Sequence, residues 1–186
     1  MAHEICPWWL GYWLASPVRK LLHDPGAILA PFIREGMTVF EPGPGMGFFT
    51  LEIARMVGQS GRVVAVDIQP KMLETLGRKA RRKGLGGRVE RRLADSNGMG
   101  VRDLAGKVDF VLAFAVVHEV PDATNFFKES LAVLRPGGTL LFSEPSNHVA
   151  QADFEGSLAS ARKAGFKVES GPTIRSNRTA VLRRMS

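Results

Sequence analysis

The sequence has 186 residues, 45% hydrophobic and 23% charged, which is typical of one globular domain and excludes a disordered or fibrous chain. Its single cysteine, Cys6, excludes an internal disulfide, a four-cysteine zinc site and an iron–sulfur cluster. The net charge of +7 leaves nucleic acid, acidic lipid and small anions open as partners and indicates none of them.

Strand and helix patterns alternate along the chain. The predicted elements, in order, are a helix from Asp24 to about Arg34 that Pro31 kinks or ends, a strand Met37–Glu41, a helix Phe48–Val57, a strand Arg62–Val66, a helix Pro70–Lys83, a strand Arg88–Leu93, a strand Asp109–Phe114, a helix Ala123–Leu134, a strand Thr139–Ser143, a helix Gln151–Ala164, and strands Phe166–Glu169 and Thr179–Arg183. Apolar strands that alternate with helices indicate an α/β fold with a parallel sheet buried on both faces. Ligands then bind at the carboxyl ends of the strands.

The start of the chain carries an uncharged stretch over residues 5–18, which Pro7, Gly11 and Pro17 interrupt. It is too short to span a bilayer, and no basic segment precedes it. We therefore expect neither a transmembrane segment nor a signal peptide. A cytoplasmic location is predicted. One domain over residues 1–186 is predicted, with an aromatic and helical cap at 1–35 and the core at 36–186.

A glycine-rich loop follows the first predicted strand. Glu41 ends that strand, and Gly43, Gly45 and Gly47 come at alternate positions before a helix. Glycine lets a backbone turn sharply and approach a ligand, and the start of a helix favours an anion. The loop is therefore a predicted ligand site.

Two further acidic residues follow the next strands. Asp67 ends the second strand, where an acid accepts hydrogen bonds from a ribose diol, and Ile68 offers an apolar surface to a purine. Asp95 follows Ala94 after the third strand. Asp95 could accept a hydrogen bond from adenine N6 or serve as a helix cap, and we favour the adenine contact.

The loop does not fit a nicotinamide dinucleotide. In the G-x-G-x-x-G pattern, the third glycine position falls on Phe48 or on Thr50. Glu41 would also repel a pyrophosphate. It suits a ligand that carries an ammonium and a sulfonium, as S-adenosylmethionine does, with a carboxylate for the helix start.

With these motifs the chain resembles the class I S-adenosylmethionine-dependent methyltransferases from about Met37 to Arg184, particularly the small-molecule group that includes ubiquinone/menaquinone-biosynthesis methyltransferases. Leu134–Gly138 resembles that family's turn into strand five, and the last two strands resemble its closing hairpin. The resemblance implies a three-layer, doubly wound Rossmann-like sheet of order 3-2-1-4-5-7-6 with strand seven antiparallel. It implies S-adenosylmethionine as cofactor and S-adenosylhomocysteine as product. Pro44, inside the glycine loop, departs from the family pattern.

The loop after strand four borders the acceptor by the same resemblance, and Phe114 and Ala115 would contact the methionine part of the cofactor. His118 is the candidate general base, because a histidine pKa lies near neutrality. The alternative is that His118 only bonds loop backbone or Glu119. Glu144 and His148 are candidates for the pocket rim. No metal site is predicted, since no second histidine follows His118 at helical spacing.

Four aromatic residues crowd the start of the chain: Trp8, Trp9, Tyr12 and Trp13. They form either a lid over a flat acceptor or an anchor of the segment on the sheet. The predicted acceptor is a small apolar or aromatic molecule.

Eight basic residues cluster between positions 78 and 92: Arg78, Lys79, Arg81, Arg82, Lys83, Arg88, Arg91 and Arg92. A methyltransferase acting on RNA through this edge is one alternative. We favour a solvated sheet edge, because no aromatic residues interleave for base stacking. A cofactor-binding module without catalysis is the other alternative. The sequence does not indicate an oligomeric state.

Overall fold

The structure is a computed structural model that describes residues 23–94 and 98–185. These residues fall into two compact units, one of residues 23–94 and 98–100 and the other of residues 101–185. We call them the N-terminal and the C-terminal unit. The prediction of a single domain over residues 1–186 stays a prediction.

The N-terminal unit alternates helices and strands. Its elements are α1 (Pro25–Leu29), β1 (Thr38–Pro42), α2 (Thr50–Met56), β2 (Arg62–Asp67), α3 (Pro70–Arg82) and β3 (Val89–Leu93). β2 pairs in parallel with β1 on one side and with β3 on the other. The apolar residues 63–66 of β2 are all buried, as expected for a strand covered on both faces.

The C-terminal unit contains the remaining elements. These are β4 (Val108–Phe114), α4 (Ala123–Val133), β5 (Leu134–Pro145), α5 (Gln151–Ala164), β6 (Phe166–Ser170) and β7 (Asn177–Arg184). β4 and β5 are parallel, whereas β7 is antiparallel to both β5 and β6. Phe127 and Phe142 pack edge to face in its core, with ring centroids 5.5 Å apart.

The strand order is β3-β2-β1-β4-β5-β7-β6, which confirms the predicted fold. Among the described residues no helix has the length and apolar character that a bilayer crossing requires.

α1 ends at Leu29, so the helix stops at Pro31 before it reaches Arg34, because proline has no N–H with which to continue it. Two other predicted boundaries were wrong. The second helix covers only residues 50–56 of the predicted 48–57, since the glycine loop extends to its first turn. The fifth strand starts at Leu134 rather than Thr139.

The early start of β5 comes from an irregular pairing with β4. Leu134 pairs with Val108 and Thr139 pairs with Phe110, so the intervening Arg-Pro-Gly-Gly residues are accommodated as a bulge. Pro136 has no N–H to donate to the ladder, and Gly137 takes a positive φ of 74°. The predicted turn is thus present, inside the strand instead of before it.

Candidate active site

The glycine loop after β1 depends on backbone that only glycine adopts readily. Gly43, Gly45 and Gly47 have φ values of 68°, 54° and 87°, all left-handed. The Gly43 N–H donates to the Val66 carbonyl at 2.8 Å, which ties the loop to the end of β2. The sequence pattern therefore reflects a real conformational requirement.

The surroundings of Gly45 and Gly47 differ. A Cβ atom added to Gly45 would have no heavy atom within 4 Å, so this glycine faces open space. A Cβ atom on Gly47 would lie 2.5 Å from Leu76 Cδ1, a fully buried side chain of α3. Gly45 thus leaves room for a ligand, whereas Gly47 is required by the packing of the loop against α3.

Glu41 at the end of β1 is an unsatisfied buried acid. It is 4% exposed, and its Oε2 has no hydrogen-bond partner. Burial raises the pKa of Glu41 to about 8; the hydroxyl of Thr50 opposes this shift, and the neighbouring charge of Asp67 adds to it. A cationic ligand group that paired with this carboxyl would relieve both the missing hydrogen bond and the desolvation.

Asp67 at the end of β2 holds two backbone amides. Its Oδ1 accepts from the Gln69 N–H at 2.9 Å and its Oδ2 accepts from the Gly45 N–H at 3.3 Å. Burial raises the pKa of Asp67, and these two N–H groups oppose that shift. A carboxylate has about four acceptor positions, so Asp67 can hold the loop and still accept from a diol.

An exposed apolar surface lies beside Asp67. Ile68 is 50% exposed and Leu93 is 58% exposed, and Leu93 is the register partner of Asp67 on β3. The Ala94 N–H donates to the Asp67 carbonyl at 3.0 Å, so the ends of the two strands are tied together. Ile68 is a predicted purine contact and stays a prediction, and the sequence analysis did not name Leu93. Asp95 lies outside the described residues, and its adenine contact stays a prediction.

A lysine steadies the glycine loop. Lys79 on α3 donates from Nζ to the Met46 carbonyl at 3.2 Å, and burial lowers the pKa of this lysine. The loop is thus held by Asp67 through Gly45 and by Lys79 through Met46.

α2 beyond the loop has seven residues, fewer than expected, so its contribution to anion binding is smaller than the sequence suggested.

In the C-terminal unit, β4 ends in a strained turn. Phe114 is 8% exposed, and the next residue, Ala115, has a φ of 54°, which is unfavourable for a residue with a Cβ. The Ala115 N–H donates to the Ser143 carbonyl at 2.7 Å and so fixes the turn to β5. The short 3₁₀ helix Val117–Glu119 follows and carries His118. Backbone strain of this kind concentrates at functional sites.

His118 and Glu144 form a close pair. His118 Nδ1 lies 2.6 Å from Glu144 Oε2, and the Glu144 side chain is 1% exposed whereas that of His118 is 31% exposed. The hydrogen bond to Glu144 raises the pKa of His118, and the charges of Glu144 and Glu119 act in the same direction while burial opposes them. His118 Nε2 lies 3.9 Å from Glu119 Oε1.

A pocket of about 370 Å³ opens at this pair. Its walls include His118, Glu144 and His148, together with Val117, Val120 and Val149 and, from α5, Asp153 and Ser157. The structure thus brings together His118, Glu144 and His148, which the sequence proposed separately.

Trp8, Trp9, Tyr12 and Trp13 lie outside the described residues, so the lid and the anchor stay alternatives.

The sequence analysis placed Glu144 only at the pocket rim and considered Glu119 as a partner of His118. One feature of the sequence could have indicated the pair of His118 and Glu144. Glu144 ends strand five as Glu41 ends strand one, and parallel neighbours bring their carboxyl ends to the same edge of a sheet. Asp153 and Ser157 carried no such signal, because the face of a helix that lines a pocket depends on tertiary packing.

The N-terminal unit fits S-adenosylmethionine on three observations. It has a buried carboxyl oxygen without a partner at Glu41, open space at Gly45, and an exposed apolar pair at Ile68 and Leu93. They suit an ammonium, a close backbone approach and a purine, respectively. Within the described residues no cluster of His, Cys, Asp and Glu could hold a metal ion.

Comparison with known proteins agrees with this chemistry. The methyltransferase domain family matches residues 33–177. The ubiquinone/menaquinone biosynthesis C-methyltransferase UbiE of Enterobacter sp. (strain 638) is 34% identical over 116 residues, which cover 61% of this chain and 45% of that protein. The corresponding protein of Hahella chejuensis is 31% identical over 126 residues, 66% of this chain and 50% of that one. The chain thus spans about half the length of these curated relatives.

Solved structures show the same fold. A SAM-dependent methyltransferase from Aquifex aeolicus superposes with a TM-score of 0.84 at 26% identity, covering 96% of this chain and 98% of that one. A SAM-dependent O-methyltransferase from Thermotoga maritima gives a TM-score of 0.69 at 19% identity, covering 88% and 65%. The second likeness bears on the fold alone.

Proposed function

We propose that this chain, which belongs to the methyltransferase domain family, is an S-adenosylmethionine-dependent methyltransferase. Its acceptor is a small apolar or aromatic molecule that loses a proton to His118. One observation carries this proposal: the imidazole of His118, hydrogen-bonded to a buried glutamate, lines a pocket of about 370 Å³. That volume suits a small molecule, and its three valines offer apolar contacts beside polar groups from His118, Glu144, His148, Asp153 and Ser157.

The cofactor contacts are part of the proposal. Glu41 would pair with the ammonium, Gly43 and Gly45 would let the backbone approach the cofactor, and Asp67 would accept from the ribose hydroxyls. Ile68, Ala94 and Asp95 would adjoin the adenine, and Phe114 and Ala115 the methionine part. Gly47 would also let the backbone approach the cofactor, and the closeness of Leu76 supports a structural role for this glycine in addition.

When bound, S-adenosylmethionine supplies an electrophilic methyl carbon whose leaving group is the neutral thioether of S-adenosylhomocysteine. This chain's residues bind and orient the reactants, exclude water and accept a proton. His118 would accept it at Nε2, since Nδ1 faces Glu144. A phenolic hydroxyl that loses its proton becomes nucleophilic at oxygen and at the ring carbons beside it. The curated relatives' names, which specify C-methylation in quinone biosynthesis, favour a ring carbon. The hydrogen of that carbon then leaves as a proton and the oxygen regains one, so the net reaction releases one proton.

A role on RNA has less support. Five of the eight basic residues between positions 78 and 92 donate hydrogen bonds within the protein: Arg78, Lys79, Arg88, Arg91 and Arg92. Arg88 and Arg91, for example, donate to the carbonyls of Ala54 and Leu73 at 3.2 and 3.0 Å. Arg88, Arg91 and Arg92 therefore tie β3 and the residue before it to neighbouring segments. The absence of a nucleic-acid partner and the cytoplasmic location stay predictions.

The proposal is tested by titrating the protein with S-adenosylmethionine and then assaying methyl transfer to small hydroxylated aromatics and to unmodified tRNA. We expect cofactor binding, transfer to at least one aromatic and none to tRNA. Transfer to tRNA that is lost when Arg81 and Arg82 are replaced by Gln would establish the RNA alternative. Cofactor binding without transfer to any acceptor class would favour the non-catalytic module.

A further inference from the structure

Glu144 has both carboxylate oxygens committed to one short segment. Its Oε1 accepts from the backbone N–H of Val117 at 2.8 Å and of His118 at 3.2 Å, and its Oε2 lies 2.6 Å from His118 Nδ1. A buried carboxylate that accepts two backbone hydrogen bonds and lies within hydrogen-bond distance of an imidazole nitrogen fixes both the 3₁₀ helix backbone and the imidazole that it carries.

An ionised carboxylate has only acceptor positions, so the nitrogen facing it must carry the proton. The neutral imidazole of His118 is thereby held with hydrogen on Nδ1 and a lone pair on Nε2. We infer that Glu144 is a positioning residue that selects this tautomer of His118 and so makes Nε2 the proton acceptor toward the acceptor pocket. The inference rests on the proposed function, because a base is needed only for an acceptor that loses a proton.

Three other titratable groups adjoin the imidazole or its pocket. Glu119 lies 3.9 Å from Nε2, and His148 and Asp153 line the same pocket. Glu119 favours a protonated imidazole without reaching hydrogen-bond distance, so it can change the affinity of His118 for a proton but not set its tautomer. Glu144 can therefore set the tautomer of His118, whereas Glu119 can change only its proton affinity. A substitution of Glu119 is thus the matched control for one of Glu144.

The two backbone N–H groups make Glu144→Gln informative. Glutamine has one oxygen and one NH₂ group, and the N–H groups of Val117 and His118 would retain the oxygen. The NH₂ group would then face His118 Nδ1, and the neutral imidazole would move its proton to Nε2. The same variant also removes the charge that favours the imidazolium.

The experiment is a long-range ¹H–¹⁵N NMR titration of the ¹⁵N-histidine-labelled full chain, without cofactor, with His118 assigned from the His118→Ala spectrum. We expect the Nδ1–H tautomer in the wild type and in Glu119→Gln, and the Nε2–H tautomer with a lower pKa in Glu144→Gln. An Nε2–H tautomer in the wild type would overturn the inference. A Glu144→Gln spectrum with the wild-type tautomer would overturn it as well.

Turnover on an acceptor found by the assay above provides the second readout. A comparable tautomer error in another histidine–carboxylate pair lowers kcat about 10⁴-fold. We expect Glu144→Gln to lose about 10²- to 10⁴-fold in kcat with little change in KM, and Glu144→Asp to recover part of the loss. Unchanged turnover in Glu144→Gln with a switched tautomer would overturn the positioning role. A wild type that binds no S-adenosylmethionine would instead overturn the proposed function, since the NMR titration uses none.

Discussion

Glu41 and Glu144 are both buried glutamates at the carboxyl ends of strands, yet their surroundings are opposite. Glu144 is 1% exposed and uses both oxygens on Val117 and His118. Glu41 is 4% exposed, and its Oε2 has no partner. A satisfied buried carboxylate organises its own protein, whereas an unsatisfied one indicates a missing ligand group. This difference supports the proposal that Glu144 positions a base and that Glu41 pairs with the cofactor.

The largest effect should come from the base that Glu144 holds. Replacing His118 with alanine should lower turnover on a proton-losing acceptor by about 10²- to 10⁴-fold, the usual contribution of a general base. S-adenosylmethionine affinity should stay as in the wild type. The wild-type pH–rate profile should rise through a pKa above the ordinary 6.5, because Glu144 raises the pKa of His118 and only the neutral imidazole is a base. Wild-type turnover in His118→Ala would show that the pair is only structural.

On the cofactor side, Asp67→Ala should weaken S-adenosylmethionine binding by roughly 10- to 150-fold. The reason is the loss of a charged hydrogen-bond acceptor, worth about 1.5–3 kcal/mol. Asp67→Asn is the matched control, because it keeps one acceptor oxygen and should lose less. Titration calorimetry measures both variants. Equal affinities of wild type and Asp67→Ala would remove Asp67 from the ribose site.

Substitutions at two glycines of the loop, Gly45 and Gly47, should distinguish effects on stability from effects on cofactor binding. Gly47→Ala should lower the free energy of unfolding by about 1–3 kcal/mol, because its Cβ would overlap the buried Leu76. Gly45→Ala should lose only about 1 kcal/mol from left-handed backbone strain and weaken cofactor binding. Urea unfolding and calorimetry on both variants measure these effects. The reverse pattern would place the ligand at Gly47.

The last effect concerns the pH dependence of stability and the carboxyl of Glu41, whose Oε2 has no partner. The pKa of Glu41 is about 8 in the folded protein, and its ordinary value is 4.5. Between pH 4.5 and 8 the native state therefore holds a proton on Glu41 that the unfolded state has lost. Stability of the cofactor-free protein should therefore fall as pH rises from about 5 to 8, by at most about 1.4 kcal/mol per pH unit from this group. Glu41→Gln should flatten the curve measured by thermal unfolding. A parallel curve would show that Glu41 does not titrate there.

The sequence predicted the parts of this molecule that short patterns determine. The alternating strand and helix patterns predicted the parallel sheet. Glu41, Asp67 and Ile68 were proposed as site residues because each comes at a strand end. The contact of Glu144 with His118 was not predicted, since the two residues are 26 positions apart and their approach depends on the pairing of β4 with β5. The Arg-Pro-Gly-Gly bulge was missed for a similar reason, because register is a property of two strands.

The most direct test of the comparison is one calorimetric titration of S-adenosylmethionine into wild type, Glu41→Gln and Glu144→Gln. Both variants replace a buried carboxylate by an amide of the same size, so they differ only in which site they touch. The affinity of Glu41→Gln should fall by about 10- to 150-fold, because the bound ammonium ionises the Glu41 carboxyl and glutamine cannot become charged. The affinity of Glu144→Gln should match the wild type. Equal affinities for Glu41→Gln and wild type, or a loss confined to Glu144→Gln, would contradict the assignment of the cofactor to Glu41 and of the base to Glu144.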